Sequence, residues 1–144
     1  MFSNMFSKKT RSHYYFGQLV LDMGYWCGEF YLSGCSEESI EVFIEEEMIE
    51  SERLIEVIKN LENCLMLLNN AQMEISKYVK NNSGLFFNLK ENFDLTHLSL
   101  ETIAVEVNSS ILLWGLIPEG SNEMEVQIET SCNNGKLSVL SIGD

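Results

Sequence analysis

The chain has 144 residues, 45% apolar and 22% charged, and a formal net charge of −13 from 22 acids against nine Lys and Arg. That length suits a single domain over residues 1–144 with a real core, and the even spread of apolar residues excludes a disordered acidic tail. The charge disfavours nucleic-acid phosphates and anionic membrane surfaces, and favours a basic protein partner.

Residues 1–12, with Lys8, Lys9 and Arg11, read as a loose basic N-terminal arm. The stretch Tyr14–Tyr25 is broken by Gln18 and Asp22, so no signal peptide is expected there. Nor does any run approach the roughly 18 apolar residues of a membrane helix. A cytosolic location is the expectation.

Tyr14–Leu21 is aromatic and aliphatic, Asp22-Met23-Gly24 turns, and Tyr25–Leu32 returns as a second strand. After a turn region over Gly34–Glu37, Glu38–Met48 alternates, with Ile40, Val42 and Ile44 on one side and Glu41, Phe43 and Glu45 on the other. Such alternation predicts a half-buried strand.

The period then changes. Leu54, Val57, Ile58, Leu61, Leu65 and Leu68 recur at helical spacing, with Ser51 as candidate N-cap and Glu50 and Glu52 at the positive end of the dipole. Asn69-Asn70 is the expected interruption. A second helix carries Ala71, Ile75, Tyr78 and Val79, with Lys77 and Lys80 near its C-terminus and Gly84 as the stop. Leu85–Leu95 lacks a clean period and reads as a packed connection with a short helix.

Strand signals resume at Leu98. Ile103, Val105 and Val107 alternate with Thr102, Ala104 and Glu106; Ile111–Ile117 is an apolar run ended by Pro118-Glu119-Gly120. Met124, Val126 and Ile128 alternate with Glu125, Gln127 and Glu129. Asn134-Gly135 is a hairpin signal leading to Leu137 and Val139, with Leu140 and Ile142 on the opposite parity. The predicted fold is α+β: an antiparallel sheet of about six to seven strands in the order βββ-αα-ββββ, two helices on one face and the other face open.

Catalytic signatures are missing. The two histidines, His13 and His97, have no partner motif, no glycine-rich phosphate loop occurs, and no acids have calcium-loop spacing. The cysteines at 27, 35, 64 and 132 have no C-x-x-C spacing and are expected as reduced, mostly buried thiols. The expectation is no enzyme, no cofactor and no metal.

Acid is concentrated instead. Nine of the twenty residues from Glu37 to Glu56 are Glu, against the single base Arg53. If the core faces are as above, the outer sheet face collects Glu29, Glu41, Glu45, Glu106, Glu125 and Glu129, with Glu46 at the strand end. Tyr25 and Tyr31 share parity with Glu29, and Phe43 lies between Glu41 and Glu45. Acids among exposed aromatics suit a protein-binding surface: aromatics anchor, while carboxylates steer and pair with Lys and Arg.

Two stretches carry a resemblance. The first is Phe16-Gly17-Gln18-Leu19 to Asp22, followed by Tyr25-Trp26-Cys27-Gly28-Glu29. The second is Leu98-Ser99-Leu100-Glu101-Thr102-Ile103-Ala104-Val105, then Met124–Ile128, Asn134-Gly135-Lys136 and Ser141–Asp144. This order resembles a loose group of small bacterial domains, several thought to be immunity proteins of contact-dependent and related toxin systems. Members carry a Gly-His before the penultimate strand, where this chain has Asn122-Glu123. The resemblance implies a cytosolic inhibitor whose acidic surface occludes a cognate basic toxin domain, a nuclease in many such systems. The alternative from a different class is an acidic adaptor or regulatory domain for another basic protein.

Overall fold

A computed structural model describes residues 8–36, 38–82, 95–116, 126–133 and 136–143. The chain builds β1 (Thr10–His13), β2 (Gly17–Asp22), β3 (Tyr25–Phe30) and β4 (Ile40–Glu45), then α1 (Glu52–Glu62) and α2 (Cys64–Asn81). It continues as β5 (Ser99–Val105), β6 (Ser110–Leu116), β7 (Val126–Asn133) and β8 (Lys136–Gly143). Short 3-10 turns occupy Glu46–Met48 and Leu95–His97.

The α+β class holds, but the described residues form a sheet of eight strands in sequential order. Every neighbouring pair is antiparallel except β4 and β5, which run parallel with Val42 opposite Ile103. Two four-stranded meanders are thus joined by the helical crossover. A chain that leaves the end of β4 and returns through helices re-enters beside it in the same direction. The extra strand is β1, formed by residues assigned above to the loose arm. Arg11 pairs with Leu19, and the Leu21 N–H donates to the Lys9 carbonyl.

Phe16 lies in the turn before β2, not in a strand. His13 closes that turn, its Nδ1 accepting from the Tyr15 and Phe16 N–H groups at 3.1 and 3.3 Å. Between β2 and β3 the turn has positive φ at both Met23 and Gly24, matching the right-handed strand twist. Gly28 is required by close approach: a Cβ there would lie 2.6 Å from Leu19 Cδ2 and 3.0 Å from the Gln18 carbonyl.

The helices lie against the inner face. Ile40, Val42 and Ile44 are fully buried, as their alternation predicts, and they share one core with Leu54, Val57, Ile58 and Leu61 of α1. Ser51 caps α1, its Oγ accepting from the Leu54 N–H at 3.2 Å. The helical break falls at Asn63 (φ −107°, ψ 58°), not at Asn69-Asn70, which lie inside α2. Leu67, Ala71 and Ile75 then face the sheet. Leu65, expected on the α1 core stripe, is exposed because the break re-phases the helix.

Two register shifts keep apolar residues inside. In β5 the shift at Glu101 lets Leu100, Ile103 and Val105 all point inward. In β8 the shift at Leu140 places Val139 opposite Thr130 and Ile142 opposite Ile128, so Leu137, Val139 and Ile142 meet the core while Leu140 stays exposed. The parity conflict in the sequence is therefore a bulge. Val107, expected on the β5 core face, lies past the strand and is exposed.

Among the described residues the core is apolar except for Ser110 and Thr130. Thr130 Oγ1 accepts from Trp114 Nε1 at 3.1 Å and donates to the Leu112 carbonyl at 2.8 Å, so the fully buried Trp114 indole has its polar atom satisfied. The expectations for Gly84, residues 85–94, Pro118–Gly120 and Asn134-Gly135 fall outside the described residues. No helix among the described residues is long and apolar enough to cross a membrane.

Candidate protein-binding surface

The register fixes which side chains share the outer face. Residues across neighbouring strands stand about 4.8 Å apart, so the pairings define rows. One row runs Glu29, Glu41, Thr102, Leu113, Glu129 and Ser141 from β3 to β8. The next runs Val20, Cys27, Phe43, Ala104, Ile111 and Ser131 from β2 to β7. Both lie opposite the helices, and no described element covers them.

The second row was not foreseen as a unit. Val20, Cys27, Phe43, Ala104 and Ile111 of that row, with Leu113 of the first, are all only half-buried, forming an apolar stripe on the open face. Its signal was the unbroken run from Ile111, which lacks the alternation of a strand with one wet face. Phe43, expected as an exposed anchor, lies within this stripe.

Carboxylates flank it. Glu29 and Glu41 are exposed and directly opposite each other. Neither belongs to an ion pair among the described residues, whose three salt bridges are Lys8–Asp22, Arg11–Glu50 and Lys77–Glu74. Like charges placed this way repel. Glu129, half-buried, stands beyond Leu113 in the same row. Strands β2–β7 contain no Lys or Arg; the described bases lie at β1, on the helices and at Lys136 on the far edge.

Two expected partner-binding acids are engaged within the fold. Glu45 Oε1 accepts the Val107 N–H at 3.0 Å. Glu106 Oε2 accepts the Tyr25 hydroxyl at 2.7 Å, and this bond pushes the phenol pKa up. Arg53, the only base in the Glu-rich segment, donates to the Glu106 and Val107 carbonyls. Together these four side chains lock the β5–β6 turn to α1 and to the β3–β4 end of the sheet. Glu46 is exposed in the 3-10 turn, its backbone N–H bonded to the Gly24 carbonyl at 2.8 Å. Tyr31 is 79% exposed just past β3, at the opposite end of the sheet from Glu45 and Glu106. Glu125 lies outside the described residues.

The geometry therefore divides the acids. Glu29, Glu41 and Glu129 border the apolar stripe, while Glu45 and Glu106 hold a corner of the sheet. Among the described residues no group of three or more His, Cys, Asp and Glu is placed to hold a metal. His13 is spent on its turn and stacks on Tyr14 at 4.7 Å. Compared with protein-family models, with curated proteins and with solved structures, the chain has no significant match.

Proposed function

We propose that this chain is an immunity protein that binds a cognate basic toxin domain, a nuclease, and neutralises it by stoichiometric occlusion. The observation that carries the reading is the outer face of β2–β7. Among the described residues it combines an apolar stripe that no element covers with Glu29 and Glu41, which join no ion pair, and with strands free of bases. Phe43, Ile111 and Leu113 supply area that gains from leaving water. Glu29 and Glu41 repel each other in the free protein, and a guanidinium or ammonium of the partner relieves that repulsion. Against a nuclease, these carboxylates stand where substrate phosphates would lie, so the block is steric and electrostatic. The resemblance to immunity proteins described above points the same way.

The test is protection. If a candidate toxin domain is encoded directly upstream, the chain is co-expressed with it and cell survival is scored; the absence of any such domain counts against this reading. Glu29→Lys combined with Glu41→Lys is expected to abolish protection while circular dichroism stays that of wild type. Stopped-flow association with the same domain is expected to slow steeply as salt shortens the Debye length towards roughly 8 Å. Full protection by the double variant, or a salt-independent association rate, would overturn this reading.

A further inference from the structure

The four cysteines are free thiols, and two of them lie together away from the proposed docking face. Cys35 is buried in the loop after β3; Cys64 is half-buried at the first residue of α2. The Cys35 thiol donates to the Cys64 carbonyl at 3.3 Å, and the Cys64 thiol donates to the Ser33 carbonyl at 3.2 Å. Each sulfur thus contacts the backbone of the other's segment. Gly34 has φ +98°, and a Cβ there would come 3.1 Å from Cys64 Sγ. The loop backbone is therefore pressed onto that sulfur.

The remaining two cysteines have no such arrangement. Cys27 faces outward on β3, and Cys132 faces inward on β7, where Asn60 Nδ2 donates to its sulfur at 3.0 Å. Four strand spacings, on the order of 19 Å, and opposite faces separate them. A disulfide needs Cα atoms within about 7 Å.

We propose that Cys35 and Cys64 form an oxidative modification site, a dithiol that a peroxide converts to an intramolecular disulfide, stapling the β3–β4 loop to the start of α2. Cys64 is the more accessible sulfur and reacts first. An S–O bond forms, the peroxide O–O bond breaks and one water leaves, giving a sulfenic acid. The Cys35 sulfur then attacks the oxidised sulfur. The S–S bond forms, the S–O bond breaks, and a second water carries away the Cys35 proton. Two thiols lose two electrons together, and one peroxide becomes two waters. Burial first, then the adjacent Cys64, pushes the Cys35 thiol up to about 12, so Cys35 is the partner held as a thiol while Cys64 meets the peroxide. The staple joins the loop between the strands that carry Glu29 and Glu41 to the helical layer, and a cellular dithiol would reverse it.

The experiment uses the full chain, purified reduced and treated in native buffer with hydrogen peroxide at a small molar excess. Non-reducing peptide mapping of the monomer is expected to find a Cys35–Cys64 cross-link, a loss of two hydrogens, and Cys27 and Cys132 still open to alkylation. Dithiothreitol restores all four thiols. Cys64→Ser, at a half-buried position, is expected to fold and to form no intramolecular disulfide. The proposal is overturned by sulfinic or sulfonic acid at Cys64 beside an unmodified Cys35. Disulfides formed only between molecules, an intramolecular bond at Cys27 or Cys132, or four unreacted thiols overturn it equally.

Discussion

Glu29 and Glu41 face each other across the antiparallel β3–β4 pair, both exposed and neither joined to a base among the described residues. A fold under selection for stability alone gains nothing from this pairing, because like charges directly opposite on a sheet destabilise it. It becomes useful when a cation from another molecule arrives between them.

Glu41→Lys tests that cost. It puts an ammonium opposite Glu29, and the expected gain is about 0.2–1 kcal/mol in urea denaturation at low ionic strength. The gain should shrink as salt is added. A variant less stable than wild type at every salt concentration contradicts the repulsion. The same substitution is expected to weaken partner binding, so stability and function move in opposite directions.

Thr130→Val leaves the Trp114 indole N–H without its buried acceptor and keeps the side-chain volume. The expected loss is about 1–3 kcal/mol, the desolvation cost of an unpaired buried polar group. Thr130→Ser retains the hydroxyl and should lose less. Equilibrium denaturation followed by tryptophan fluorescence separates the two; equal losses would mean the methyl group matters more than the hydrogen bond.

Met23→Asn is expected to stabilise. Met23 adopts φ 51° at a turn tip where it is 93% exposed, so it bears left-handed strain without packing in return. Asn tolerates that conformation and creates an Asn-Gly turn, with a gain of up to about 1 kcal/mol. A lower melting temperature in the variant rules this out.

His13 makes stability depend on pH. Burial, and then the nearby Arg11 charge, hold its imidazole below the ordinary value of 6.5. The unfolded chain therefore takes up the proton first, so His13 contributes fully above that value and its contribution falls as pH drops below it. Protonation also removes the Nδ1 acceptor used by Tyr15 and Phe16. His13→Asn keeps an acceptor without the titration. Between about pH 7.5 and 5.5, wild type should lose more melting temperature than this variant; parallel curves would remove His13 as the cause.

Local pattern reaches a definite distance into this protein. The alternation of Ile40, Val42 and Ile44 determined which face of β4 is buried, and helical spacing from Leu54 to Leu61 with Ser51 in front determined α1 and its cap. The same parity put Glu29 and Glu41 on one outer face. These features depend on neighbours within one turn or one strand, where side-chain direction follows from backbone period alone. What joins distant segments was decided only by the tertiary structure. The parallel match of β4 with β5 depends on where the helical crossover returns the chain. The shifts at Glu101 and Leu140 arise because long-range packing of Leu100 and Ile142 outweighs strict alternation. Glu45 and Glu106 read as free surface acids in the sequence, yet a backbone N–H and a phenol far along the chain engage them. Cys35 and Cys64 stand 29 positions apart and meet only because a loop folds against a helix start. Periodicity carries no information about such meetings, which follow from how elements dock, after each element's own pattern is satisfied.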